Sequence, residues 1–304
     1  MPQFALTRDE VLSIVAPYHA QLVPSGDSEG RRLRRQVFKN QLHMIASGLA
    51  KRLRGGERNK AVDRVADYYD TVYRHDAPIL PGFQSGGRAL PFGFGDDLLV
   101  MQGFPMHRCI IAQVEKTIRM LSPGSVCEIG SGMGRNLIYL ASRFPQIRFA
   151  GFDLSHHAVA NCHALQRLET LDLQFPEVPG ALTPEQMEAV RAIDFFQANA
   201  ADLSARPDDS YDLMYTVSAM EQMHVVLPQV LKEVHRVGRR HVVFCEPFLE
   251  VNDIWQRLYL WSRNYFRVDI RFVESFGFRT LEHCTTIPRK QSFTYSALIA
   301  EIVA

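Results

Sequence analysis

Between Val126 and Asn136 the sequence reads VCEIGSGMGRN, three glycines at alternate positions behind a short apolar run. Glycines in that pattern permit a tight turn and let a ligand approach the main chain closely. A helix opening just after the loop would offer unpaired N–H groups and the positive end of its dipole. The spacing is GxGxG, not the GxGxxG that seats a dinucleotide pyrophosphate. Glu128 stands two residues before Gly130, where a carboxylate repels a pyrophosphate but can hold a cation. Asp153 follows Gly130 by 23 positions, in Gly151-Phe152-Asp153-Leu154-Ser155. An acid at such a strand end accepts both hydroxyl hydrogens of a ribose. Capping the following helix is its alternative role, one for which Ser155 is also suited. The loop and the offset together favour ribose.

These residues need elements to carry them. From Ser125 the pattern runs strand, helix, strand: strands at 125–129, 148–152, 194–197, 211–216 and 241–245, with helices at 137–144, 155–168 and 227–237. Such alternation builds a parallel sheet covered on both faces. Leu281–Ile287 and Phe293–Ile302 have no helix between them and read as an antiparallel hairpin closing one sheet edge. Residues 169–193 are an insertion whose Thr183-Pro184-Glu185-Gln186 is a helix start. Upstream, a helix is expected at 106–121, and 61–75 is another. Residues 76–105 carry repeated Gly and Pro and read as a long irregular connection with a lid-like role. The expected architecture is α/β: a Rossmann-like, doubly wound, mostly parallel seven-stranded sheet with a C-terminal antiparallel hairpin. A helical N-terminal extension, 1–105, would precede a domain over 106–304.

At these residues the chain resembles the class I S-adenosylmethionine-dependent methyltransferases. Glu128–Gly134 is similar to that family's first motif and Asp153 to its ribose-binding acid. Gln197–Leu203 resembles the segment that holds adenine, Ser210–Tyr215 the entry to the fourth strand, and Leu231–Val237 the helix before the fifth. The likeness covers about 106–304 and leaves 1–105 outside it. It implies S-adenosyl-L-methionine as cofactor, with Glu128, Gly130, Ser131, Gly132, Gly134, Asp153, Leu154, Asn199, Ala200 and Val217 around it. Asn199 replaces the family's usual Asp, and its amide oxygen can still accept from the adenine amino group.

Methyl transfer asks the protein mainly for alignment and exclusion of water. A base matters only when the acceptor arrives protonated. The Asn-Pro-Pro-Tyr loop of amide and nucleobase methyltransferases is absent. In its place stands Ser218–His224, whose Glu221 and His224 sit at a strand's carboxyl end, where ligands gather. His224 is the candidate base, with helix capping or packing as its ordinary alternative. Glu246, Tyr69, Trp255 and Tyr259 are candidates for holding the acceptor. Trp255 and Tyr259 lie one helical turn apart, a spacing equally suited to core packing. The adjacent pair His156-His157 cannot point both rings to one helix face, and no metal site is read.

Composition bounds the partners. The 304 residues are 46% hydrophobic and 22% charged, with net charge +1. Residues 28–60 hold ten basic side chains against Glu29 and Glu57, and they read as an amphipathic helix with a basic face, ended by Gly55-Gly56. The remainder is correspondingly acidic, so no overall drive toward nucleic acid exists. Five cysteines without CxxC pairing argue against a disulfide framework. No apolar run reaches the roughly 20 residues of a membrane span. A cytoplasmic location and a small-molecule acceptor, without membrane or nucleic-acid partner, are expected; a homodimer is left open. RNA methylation through the basic helix, or a non-catalytic cofactor-binding module, are the alternatives.

Overall fold

The computed structural model describes residues 3–54, 62–74, 89–101, 103–173, 175, 178, 180–290 and 292–303. In chain order the elements are α1 (Arg8–Val15), β1 (Gln21–Val23), α2 (Ser28–Leu53), α3 (Val62–Arg74), β2 (Leu90–Phe94), β3 (Asp97–Met101) and α4 (Gly103–Leu121). There follow β4 (Ser125–Ile129), α5 (Arg135–Arg143), β5 (Arg148–Asp153), α6 (His156–Gln166), α7 (Pro184–Arg191), β6 (Asp194–Gln197) and β7 (Tyr211–Val217). The chain closes with α8 (Leu227–Val237), β8 (Gly238–Glu246), α9 (Ile254–Ser262), α10 (Ile270–Glu274), β9 (Phe278–Cys284) and β10 (Ser296–Ile302).

Seven strands form one sheet in the order β6-β5-β4-β7-β8-β10-β9. The first five are parallel to their neighbours, and β10 lies antiparallel between β8 and β9. β4 is buried along its whole length, as a central parallel strand must be. From β4 the chain winds outward through β5 and β6, then returns to β7 on the other side. The carboxyl ends of β4 and β7 therefore flank the switch point at which open α/β sheets receive ligands. α8 buries Leu227, Val230, Leu231, Val234 and Val237, the stripe that its periodicity dictates. α7 starts with the expected capping box, Thr183 accepting from the Gln186 N–H.

Several boundaries depart from the sequence-based expectation, each for a local reason. α4 starts at Gly103 and α5 at Arg135, a turn or less before the predicted starts. β9 opens at Phe278, directly after the left-handed Gly277 (φ 89°), rather than at Leu281. It ends at Cys284 because the following chain leaves the sheet to pair elsewhere: Arg289 and Gly93 exchange both backbone hydrogen bonds, at 2.7 and 2.9 Å. β10 starts at Ser296 rather than Phe293, since the Thr294 N–H is already given to Asn252 Oδ1 at 2.8 Å.

The largest correction falls on 76–105. Residues 90–101 are not irregular: β2 and β3 pair antiparallel, and β1 adds a third strand to this small sheet. The glycines that suggested a loop supply its turn, with Gly95 at φ 58°. Pro91 is tolerated because β2 is the edge strand. The N-terminal extension thus contains a sheet as well as helices. Residues 75–88 and Gly55-Gly56 lie outside the described residues.

The extension packs into the main core. Phe4, Leu6, Val11 and Val15 share a buried cluster with α4 and α5. Gln113, fully buried on α4, clamps the first segment by accepting from the Leu6 N–H (3.1 Å) and donating to the Phe4 carbonyl (2.8 Å). α2 lies along α9, where Gly48 leaves room for Ser262; a β-carbon on Gly48 would stand 2.2 Å from Ser262 Oγ.

Between β8 and β10, one buried amide organises the crossover. Asn252 Nδ2 donates to the Phe248 (2.7 Å) and Thr294 (3.1 Å) carbonyls while its Oδ1 takes the Thr294 N–H. Asn252→Ala leaves three buried backbone groups without partners, and an unsatisfied buried group costs about 1–3 kcal/mol. We expect thermal unfolding to show a loss of at least about 2 kcal/mol; a variant as stable as the parent would mean that water replaces the amide.

Candidate cofactor and acceptor site

The glycine loop joins β4 to α5 with Gly130 and Gly134 at φ 71° and 70°, the left-handed region open to glycine. Space forbids side chains there too. A β-carbon would stand 2.6 Å from Ala219 Cβ at Gly130 and 2.5 Å from Phe195 Cζ at Gly134. The loop is tied to the neighbouring strand. Ser131 N–H donates to the Phe152 carbonyl and Gly132 N–H to Asp153 Oδ2, each at 2.9 Å. Asp153 Oδ1 accepts from Ser155 N–H at 2.9 Å. Ser155, not Asp153, supplies the side-chain cap of α6, accepting from Ala158 N–H. An ionised carboxylate has about four acceptor positions, and backbone uses two of Asp153's. Burial, with help from Asp70, raises its pKa against the pull of those N–H groups.

Glu128 is buried at the end of β4 with 1% exposure. Asn136 Nδ2 donates to its Oε1 at 2.6 Å, and Asn136 Oδ1 lies 3.0 Å from His107 Nε2. Burial depresses His107 to about 4, so the ring is neutral and can donate that hydrogen. Glu128 Oε2 has no hydrogen bond of ordinary geometry, and desolvation lifts the carboxyl to about 8. Asn136 and His107 went unread in the sequence. Asn136 follows the glycine loop directly, but His107 belongs to a different helix, and no spacing connects them.

At the end of β7, Ser218 takes a left-handed conformation (φ 57°). Glu246, fully buried at the end of β8, holds the turn that follows: its Oε1 accepts from both Ala219 N–H and Met220 N–H at 3.0 Å. The turn places Gln222 and Met223 on the cavity wall and brings Glu221 Oε2 to 3.1 Å from the Tyr295 hydroxyl. Burial, then the nearby Glu221 charge, raises Glu246 to about 8.

One cavity of about 190 Å³ gathers Gly130, Asp153, Leu154, Asn199, Ala200, Val217 and Tyr69 on its wall. Glu128, Ser131, Gly132 and Gly134 form the loop and its support beside it. Asn199 Oδ1 already accepts from Ala201 N–H at 3.0 Å, which leaves one acceptor position on that oxygen. α3 covers the opening with Tyr69 and Tyr73, two stacked rings with centroids 5.9 Å apart. The helix is fastened to α6: Asp70 takes the Ser155 hydroxyl and pairs with His156 at 3.0 Å, and Asn161 donates to the Tyr73 carbonyl.

The remaining predicted residues scatter. His224 Nε2 meets Asn264 Nδ2 at 2.9 Å and is not on the cavity wall. Trp255 packs edge-on against Phe38 of α2, centroids 5.7 Å apart. Tyr259 stacks on Phe293 at 6.0 Å, in an aromatic group with Tyr265 and Tyr295. Glu246 braces a backbone turn. Among the described residues no group of His, Cys, Asp and Glu could hold a metal ion.

A family model for the methyltransferase domain matches residues 127–245, from within β4 to within β8. The chain carries a methyltransferase domain. S-adenosylmethionine is its cofactor. No curated protein matches the chain. Among solved structures, the [4+2]-cyclase SpnF is similar over 79% of this chain and 95% of its own, at 14% identity and a TM-score of 0.50. A putative methyltransferase from Haloferax volcanii, solved with the Trm112 methyltransferase activator, is similar over 64% of this chain and 94% of its own, at 16% identity and a TM-score of 0.44. A putative sarcosine dimethylglycine methyltransferase from Galdieria sulphuraria reaches 10% identity over 64% and 85%, with a TM-score of 0.47. At these identities the likeness is one of fold.

In the methyltransferase domain the two buried glutamates carry a pH signature. A carboxyl whose pKa is higher folded than unfolded favours the fold while protonated, and that contribution is lost as pH rises toward the folded value. Here the window runs from the ordinary carboxylate range up to about 8. Glu246→Gln keeps a neutral oxygen for both N–H groups. The melting-temperature gap between this variant and the parent should therefore widen in the variant's favour from pH 5 to pH 9. A gap independent of pH would mean that the fold tolerates the ionised form.

Proposed function

We propose that this methyltransferase domain transfers a methyl group to a small-molecule acceptor held in an enclosed chamber beneath α3. The observation that supports it most is that Tyr69 and Tyr73 share one cavity wall with Asp153 and Gly130 of the glycine loop. Tyr69 shares the cavity wall with Ala219, Gln222 and Met223 of the turn after β7. The residues fit the cofactor. Asp153 has acceptor capacity left that would hold a ribose, and Leu154, Asn199 and Ala200 on the same wall would hold adenine. Glu128 supports the loop from behind, taking the Asn136 amide at 2.6 Å.

The cofactor supplies an activated methyl group for in-line displacement. The chain's residues align the partners and keep water away. The turn braced by Glu246 carries Glu221, which accepts from the Tyr295 hydroxyl at 3.1 Å. Glu221 is the candidate for orienting or deprotonating the acceptor. His224, turned to Asn264, serves as a base only if the turn rearranges.

Part of the basic face of α2 is committed to contacts within the molecule, which supports the small-molecule reading. Arg34 donates to Ser25 Oγ and the Asp96 carbonyl, Arg31 to the Gly26 carbonyl, and Arg52 to the Trp261 carbonyl while lying 4.1 Å over its ring. These cations fasten α2 to the molecule. Among the described residues no helix is long and apolar enough to cross a membrane.

Two measurements test the proposal. Asp153→Ala should weaken binding of S-adenosylhomocysteine by about 1.5–3 kcal/mol, the worth of hydrogen bonds to a charged group. With methyl-labelled cofactor and fractionated cell extract, label should pass to the low-molecular-mass fraction. Label released only by ribonuclease would replace this reading with RNA methylation, and the absence of transfer from a bound cofactor would favour a non-catalytic module.

A further inference from the structure

Lys290 lies on the connection between β9 and β10, and no motif in the sequence singles it out. Its backbone is built in from two sides. Gln256, itself 7% exposed, donates to the Lys290 carbonyl at 3.0 Å and to Thr294 Oγ1 at 3.1 Å. The preceding residue, Arg289, is paired with Gly93 of β2. The side chain is partly buried, with its ammonium 5.1 Å from the Tyr295 ring centroid and 5.7 Å from that of Phe293. Among the described residues it has no carboxylate within 4 Å and no hydrogen-bond acceptor. Lys116 makes the contrast. It is also partly buried, but it donates to the Ala5 carbonyl and to both Glu10 oxygens, at 2.8–3.2 Å. An ammonium withdrawn from water without an acceptor costs free energy that the fold elsewhere avoids.

Its place gives it a use. The Lys290 ammonium lies over the Tyr295 ring, whose hydroxyl donates to Glu221 Oε2 at 3.1 Å on the turn after β7. It therefore stands beside that turn, whose next residues, Gln222 and Met223, line the cavity. Glu221 is engaged by the Tyr295 hydroxyl, and Lys290 already occupies the rings that a cationic acceptor would seek.

We propose that Lys290 anchors a carboxylate on the methyl acceptor, so that the substrate is a carboxylate-bearing small molecule. This rests on the acceptor chamber described under the proposed function. One ammonium above two aromatic rings matches a single negative group attached to an apolar or aromatic body.

The test uses the full chain saturated with S-adenosylhomocysteine and titrated calorimetrically with benzoate, phenylacetate and cinnamate, and with the amide of each. An ion pair with a partly buried ammonium corresponds to a preference of roughly 10-fold or more. The parent protein should bind at least one of these acids that much more tightly than its amide. Lys290→Met and Lys290→Gln should each reduce the preference to about two-fold or less, Lys290→Arg should keep most of it, and all three should bind S-adenosylhomocysteine like the parent. Absence of any acid-over-amide preference in the parent, or its persistence in both neutral variants, overturns the proposal. A parent that fails to bind S-adenosylhomocysteine refutes the cofactor reading beneath it, a separate and distinguishable failure.

Discussion

Where β4 and β7 diverge at their carboxyl ends, backbone groups leave the sheet ladder and need other partners. Carboxylates supply them. Asp153 takes Gly132 N–H and Ser155 N–H, and Glu246 takes Ala219 N–H and Met220 N–H. Glu128 holds Asn136 behind the glycine loop. A buried N–H without an acceptor costs about as much as a lost hydrogen bond, so these loops keep their shape only while the acids remain. Everything at the ligand-binding edge follows from that constraint. The glycine loop is drawn onto β5, the turn after β7 is held open, and the cavity lies between them.

The same acids couple structure to chemistry. Each is raised in pKa by burial, and Asp153 lines the cavity. Asp153 keeps acceptor capacity beyond its structural bonds, and Glu128 keeps an unsatisfied oxygen. α3 then adds Tyr69 and Tyr73 to the cavity wall. The β1-β3-β2 sheet is bridged to the β9–β10 connection through Gly93 and Arg289, next to Lys290. The fold similarity to a cyclase is a reminder that this architecture supports more than one chemistry, so the acceptor must be argued from the site.

Much of this was legible in the sequence, because local signals carried it. The apolar runs with helices between them gave the parallel sheet, and the glycine loop and Asp153 marked the ligand edge, since both roles need particular residue types at fixed chain spacing. Ser155 and Thr183 were readable as caps for the same reason. The β2–β3 hairpin was hidden, because its Gly and Pro residues serve a tight turn and an edge strand while resembling those of a loop. His107, Asn252, Gln256 and Lys290 were not legible at all. Each acts through a partner far away in the chain, as with Asn252 and Thr294, and no periodicity encodes such a pair. Trp255 misled for the opposite reason: helical spacing is the same whether a ring meets a ligand or packs on Phe38.

The account depends most directly on Asp153 serving loop and ligand at once. A crystal structure with S-adenosylhomocysteine bound measures this. Both ribose hydroxyls should lie at hydrogen-bond distance, about 2.5–3.0 Å, from the Asp153 carboxylate, with Gly132 N–H and Ser155 N–H still bound to it. A ribose bound elsewhere, with Asp153 holding only the two backbone groups, would contradict the account.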